Sequence, residues 1–189
     1  MLKRELRKKY KELRKAFSVQ EVDKLSNKCF KILIENFDFK NKNVGLFLPI
    51  PYSNEPNIFL LFPNLDLTIT KVYAPVSNKE TFEMEFYQID MIQDLKEGMY
   101  GIPEPPKKHM IHPEELDIIL LPLLAFNQDG QRIGYGKGYY DRFLNKTKKE
   151  IIKIGISLFD QIEKFDEIDP NDVPMTFCIT PERCINFKL

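Results

Sequence analysis

The chain has no tryptophan, two histidines, three cysteines and eight glycines among 189 residues. Each shortage closes off a class of protein. Cys29, Cys178 and Cys184 are odd in number and show no Cys-x-x-Cys spacing. That argues against a disulfide scaffold or thiolate zinc site, and for free thiols in a reducing compartment. No apolar run approaches the roughly 18 residues of a spanning helix. The opening "MLKRELRKKY" lacks the apolar stretch of a secretory leader. A cytoplasmic location without a membrane partner is therefore expected. Net charge is missing too: 28 basic side chains balance 28 acidic ones, so no global field draws a polyanion. No nucleic-acid partner is expected. His109 and His112 form His-x-x-His beside Glu114 and Glu115, in a proline-punctuated loop that offers no fixed ligand geometry. A solvated loop is the simpler reading.

What is present suits a globular protein with a full core: 43% hydrophobic and 30% charged residues. The length fits one domain over residues 1–189. Leu2, Leu6, Tyr10 and Leu13 recur at helical spacing, which predicts a helix over 2–16. "SVQE" at 18–21 is a capping box that opens a second helix at Ser18, running to about Asn36. "NVGLFLPI" (43–50) reads as a buried strand. "NEPNIFLLF" (54–62) reads as a helix start, with Asn54 as its cap and Pro56 in the first turn. Strands are expected within 65–76, 82–89, the first half of 116–126, 151–159, 175–180 and 184–187. A long loop is expected over 100–115, and a helix over 139–149. Strands alternating with helices predict an α/β fold: a single three-layer α/β/α domain with a mainly parallel sheet.

Against this scarcity of glycine, "RIGYGKGYYDRF" (132–143) places three glycines on alternate positions. A strand and a turn precede them and a helix follows. Ligands of open α/β sheets sit outside the carboxyl ends of the strands. Gly134, Gly136 and Gly138 would let the backbone approach an anion, with Lys137 and Arg132 adding charge. Neither the P-loop GxxxxGK[ST] nor the dinucleotide GxGxxG fits. The residues alone leave two readings, a phosphate-binding loop and a structural glycine turn.

The same stretch resembles the signature of the 5-formyltetrahydrofolate cyclo-ligase family. "KRELR" (3–7), "FLPIPYSNEPN" (47–57), "YGIPEP" (100–105), the run 116–144 and "NDVP" (171–174) follow the family's order along nearly the whole chain. The resemblance implies an enzyme of one-carbon metabolism. It would act on two small molecules, using ATP and Mg²⁺ to close 5-formyltetrahydrofolate to 5,10-methenyltetrahydrofolate and releasing ADP and phosphate. A monomer is expected. It implies an ATP phosphate loop from Arg132, Gly134, Tyr135, Gly136, Lys137, Gly138 and Tyr139, with Lys3 and Arg7 reaching the nucleotide from the first helix. Asp141 and Asp172 would serve Mg²⁺. Glu55 would bind the pterin, Tyr100 would stack on it, and Tyr140 would lie beside the formyl group. Lys137, Arg132 and Tyr140 would carry the chemistry.

Eight basic residues against two acidic from Lys3 to Lys15 read equally as a solvated helix face. Leu123, Asn127 and Thr176 depart from the family's usual residues. They motivate an alternative, a non-catalytic relative that binds nucleotide or folate. A phosphosugar isomerase-like enzyme of similar layering is a third possibility, which fold alone does not decide.

Overall fold

The computed structural model describes residues 2–165 and 167–187, and the backbone but not the side chain of Tyr100. Helices α1 (Lys3–Lys15) and α2 (Val19–Asn36) come first. Strands β1 (Asn43–Gly45), β2 (Lys71–Ser77) and β3 (Met84–Gln88) follow, then the paired β4 (Lys96–Glu97) and β5 (Pro103–Glu104), and β6 (Met110–Ile111). Strand β7 (Ile118–Pro122) leads into a hairpin of β8 (Ala125–Phe126) and β9 (Arg132–Ile133). Helix α3 (Tyr139–Leu144), β10 (Ile152–Ile156), β11 (Phe177–Ile179) and β12 (Cys184–Asn186) complete the chain.

Eight strands form one sheet in the order β12-β11-β10-β7-β1-β2-β3-β6. The five from β11 to β2 run parallel; β12 and β3 pair antiparallel at either end of that group, and the edge strand β6 pairs antiparallel with β3. Side chains alternate across a strand, so β7 feeds two cores. Ile118 and Leu120 join Phe30 and Leu33 of α2 and Ile58 and Leu61 on one face. Ile119 and Leu121 join Phe86, Phe143, Leu144 and Met175 on the other. Burying Phe30 or Leu33 in this way contributes about 1.5–3 kcal/mol each. The result is the expected layered α/β architecture. A third cluster seats Leu6 and Tyr10 of α1 against Leu124, Ala125 and Ile133 of the hairpin. That contact carries the start of α1 to the glycine stretch. Among the described residues no helix is long and apolar enough to cross a membrane.

Several expected elements take a different form. The buried stripe of α1 is Leu6, Tyr10 and Arg14, whereas Leu2 and Leu13 are 48% and 42% exposed. Strand β1 stops at Gly45, because after a last ladder bond from Leu46 N to Tyr73 O the chain leaves the sheet for the cleft rim. The segment after Asn54 is a 3₁₀ helix, Ile58–Asn64, with Asn57 at its cap position. Asn54 instead donates its side-chain amide to Arg14 O and Phe17 O, satisfying carbonyls at the end of α1. The segment 65–70 is a turn before β2, and the expected loop over 100–115 contains β5, β6 and single 3₁₀ turns. Helix α3 has six residues, not eleven; Thr147 Oγ1 takes up the Leu144 carbonyl just beyond it.

Candidate active site

A cleft of about 1140 Å³ opens at the carboxyl ends of β1, β2 and β7, where Leu48, Ile50, Ser77 and Pro122 form its floor. The turn after β9 and the start of α3 form one wall. Lys3, Arg7, Glu55, Arg132, every residue from Gly134 to Asp141, and Asp172 all line it. The side chain of Tyr100 lies outside the described residues; its neighbours Met99 and Ile102 line the cleft.

The glycines differ in what they allow. Gly136 and Gly138 have φ of +91° and +71°, a region that L side chains rarely adopt. Gly138 caps α3 in this conformation. Gly134 does not need a positive φ, and a Cβ there would meet nothing within 4 Å. Arg7 Nε donates to Gly134 O at 3.0 Å, so α1 braces the loop. Arg142 braces it from the other side, donating from Nη2 to Lys137 O at 2.6 Å and from Nε to Phe82 O at 2.9 Å. Lys137 is exposed at the mouth and makes no ion pair among the described residues.

Arg132 and Lys3 are matched to the two aspartates. Arg132 Nη2 donates to Asp141 Oδ1 at 2.7 Å and Nη1 to Val173 O at 2.5 Å, while Val173 N donates to the same Asp141 oxygen at 3.2 Å. Lys3 Nζ donates to Asp172 Oδ2 at 2.5 Å, an oxygen that also accepts from Asp169 N. The second oxygen of each carboxylate has no protein partner among the described residues. Two such oxygens suit a hard cation that completes its shell with phosphate oxygens and water. No group of three or more His, Cys, Asp or Glu side chains able to hold a metal occurs among the described residues. The donor set fits a divalent cation that takes most of its ligands from elsewhere better than one caged by protein alone.

At the other end, Glu55 is 4% exposed. Its Oε2 accepts from Ile50 N at 2.7 Å, and Oε1 has no hydrogen bond. Burial pushes its carboxyl up, against the charge of Arg14 and the hydrogen bonds that hold it down. Tyr140 is pushed up by burial and then by the charge of Glu55. Tyr135 rises to about 12 by the same two causes in the same order, so its side chain stands at the Glu55 end although its backbone belongs to the glycine turn. Tyr139 is turned outward, its hydroxyl donating to Asn78 O at 3.2 Å and its ring beside Phe82.

Two residues escaped the sequence reading. Arg142 follows Gly138 by one helical turn, which is the only local signal for it. Arg14 is 1% exposed and sits beside Glu55; the i, i+4 spacing from Leu6 and Tyr10 was the available clue. The three unusual residues are scaffolding. Asn127 Oδ1 accepts from Asp129 N and Gln131 N and shapes the β8–β9 turn, which needs an oxygen but not a charge. Leu123 is buried and offers its carbonyl to Arg14. Thr176 bridges to Lys153 N beside β10. His109 and His112 are both exposed.

Residues 1–181 match the model of the 5-formyltetrahydrofolate cyclo-ligase family. The chain is similar to the 5-formyltetrahydrofolate cyclo-ligase of Mycoplasma pneumoniae, 31% identical over 137 residues, covering 68% of this chain and 82% of that protein. It is 38% identical over 143 residues to the Mycolicibacterium smegmatis protein of the same name, covering 72% and 73%. The solved 5,10-methenyltetrahydrofolate synthetase of Aquifex aeolicus superposes with a TM-score of 0.83 at 33% identity, over 100% of this chain and 94% of that one.

Proposed function

The chain belongs to the 5-formyltetrahydrofolate cyclo-ligase family, and from that premise we propose how its cleft makes 5,10-methenyltetrahydrofolate from 5-formyltetrahydrofolate. It is a ligase of folate one-carbon metabolism. The supporting observation is that one cleft holds a cationic, glycine-lined end and, opposite it, a buried carboxylate with an unused acceptor oxygen.

The chemistry needs both ends. The formyl oxygen is an amide oxygen and a poor leaving group. It attacks the γ-phosphorus of ATP, and ADP leaves. The neighbouring folate nitrogen then attacks the activated carbon, loses its proton, and phosphate departs as the ring closes. The protein must hold two substrates in line and neutralise a moving phosphoryl group. The loop amides from Gly134 to Gly138, with Lys3, Arg7 and Lys137, take the phosphates. Arg132 holds Asp141 in place, and Asp141 and Asp172 would hold Mg²⁺ through their second oxygens. When bound there, Mg²⁺ would supply the positive charge that phosphate oxygens need. Glu55 accepts from pterin N–H groups, which orients the formyl group beside Tyr140 and towards Lys137. Free thiols at Cys29, Cys178 and Cys184 suit a cytoplasmic setting.

The test is to mix 5-formyltetrahydrofolate, ATP and Mg²⁺ with the protein and follow the near-ultraviolet band of the methenyl product. An ATP-dependent rise is expected, slowed on the order of 10²-fold or more by Lys137→Ala, the factor typical of one lost transition-state contact. A rise that ignores both ATP and Lys137 would defeat the loop assignment.

A further inference from the structure

Arg14 is the largest fully buried side chain among the described residues. It lies one turn beyond Tyr10 on the face of α1 that docks against the β8–β9 hairpin. A buried guanidinium is costly unless its donors are matched and its charge is balanced. Its Nη2 donates to Leu123 O at the end of β7, and Nη1 donates to the Tyr135 hydroxyl at 3.2 Å. Its charge is balanced by Glu55, whose Oε1 stands 3.8 Å from Nη1. That separation is close enough for attraction and too long for a hydrogen bond. Glu55 Oε1 accordingly keeps its acceptor capacity, and Arg14 Nε also lacks a partner.

We infer that Arg14 is a positioning residue for Glu55: mounted on Leu123 O and Tyr135, it balances the carboxylate's charge without occupying the oxygen that takes the folate. The planar guanidinium suits this task, because its fixed fork can hold two acceptors while facing a third group. A lysine ammonium is a point donor on a flexible stem, free to close onto Glu55 and take the oxygen. The mount also joins the two ends of the cleft. Tyr135 belongs to the glycine turn by its backbone and to the Arg14–Glu55 pair by its side chain. This inference rests on the reading of Glu55 as the folate contact.

Steady-state kinetics on the whole protein test it, with Glu55→Gln as the reference. Arg14→Lys and Arg14→Met should raise the KM for 5-formyltetrahydrofolate on the order of 10-fold or more, within the coupling range of contacting residues. The KM for ATP should stay within about twofold, as expected for a site that the change does not touch. The acid limb of kcat/KM for folate separates positioning from packing. The groups facing Glu55 are Arg14 from α1, Tyr135 from the glycine turn, Tyr140 from α3 and the Ile50 amide. Without the Arg14 charge, Glu55 holds its proton to higher pH. Arg14→Met should therefore move the limb upward, and Arg14→Lys should not. Tyr135→Phe removes one mount, together with the Tyr135 hydroxyl's own contact to Glu55, while leaving no charge unpaired, so it reports even where Arg14→Met does not fold. It should raise the folate KM and spare that of ATP. Folate kinetics unchanged in Arg14→Lys and Tyr135→Phe, while Glu55→Gln is impaired, would overturn the role of Arg14. Folate kinetics unchanged in Glu55→Gln would remove the folate reading itself.

Discussion

Gly134, Gly136 and Gly138 meet different surroundings despite their regular spacing. At Gly138 a Cβ would fall 2.7 Å from Arg142 Nη1, and φ is +71°. The arginine could swing away, but it would give up its bonds to Lys137 O and Phe82 O. The left-handed backbone would still cost about 1–2 kcal/mol for any other residue. Gly138→Ala should therefore lower unfolding free energy by about that amount, measured in urea. Gly134→Ala should change stability by less than about 0.5 kcal/mol, as a surface site without special features does. Its effect should appear instead in the KM for ATP, because open space in the protein alone is where a phosphate would approach. A Gly134→Ala protein with normal ATP kinetics would show that the loop binds phosphate elsewhere. The spacing of the glycines pointed to the loop; which of them the backbone requires depends on Arg7 and Arg142, which lie elsewhere in sequence or a helical turn away.

At the scale of the element, α1 ties the site together. Lys3, Arg7 and Arg14 stand along it, and Tyr10 and Lys9 fasten it to Glu163 at 2.6 Å each. Burial pulls the Glu163 carboxyl up, but the hydrogen bonds from Lys9 and Tyr10 outweigh it and leave it lowered. A lowered carboxyl contributes stability above its unfolded pKa and loses it as pH falls through the folded one. Glu163→Gln should thus destabilise by about 1.5–3 kcal/mol at neutral pH, the range for hydrogen bonds to a charged group. The gap from the parent protein should close in acid. A gap that persists at low pH would mean that packing, not charge, holds α1 in place. Helices α1 and α2 were legible because local signals set them: a periodic stripe, and a capping box in which Ser18 Oγ accepts from Glu21 N at 3.3 Å. The length of α3 was not legible, since it ends where Thr147 turns back. Periodicity puts Leu13 in the buried stripe and leaves Arg14 out, because hydrophobicity does not foresee an arginine whose partners, Leu123 and Tyr135, arrive from over 100 residues away.

For the whole molecule, the parallel order β11-β10-β7-β1-β2 sets the architecture. It gathers the ends of β1, β2 and β7 on one edge, so segments distant in sequence meet in one cleft with two chemically distinct ends. Each end should therefore be separately addressable by its ligand. A ligand bound only by the folded state at 100 times its Kd stabilises it by about 2.7 kcal/mol. For a chain of this size that is a rise in Tm of about 5–10 °C. MgATP and 5-formyltetrahydrofolate should each produce such a rise in a thermal melt. Lys137→Ala should diminish the first and spare the second; Glu55→Gln should do the reverse. Withholding Mg²⁺ should shrink the ATP shift, because the phosphates would then face Asp141 and Asp172 without a cation between them. It should leave the folate shift alone, since Glu55 has no part in holding the ion. If either substitution abolished both shifts, the cleft would be one indivisible site. The division of labour between its glycine-lined and carboxylate ends would then be wrong.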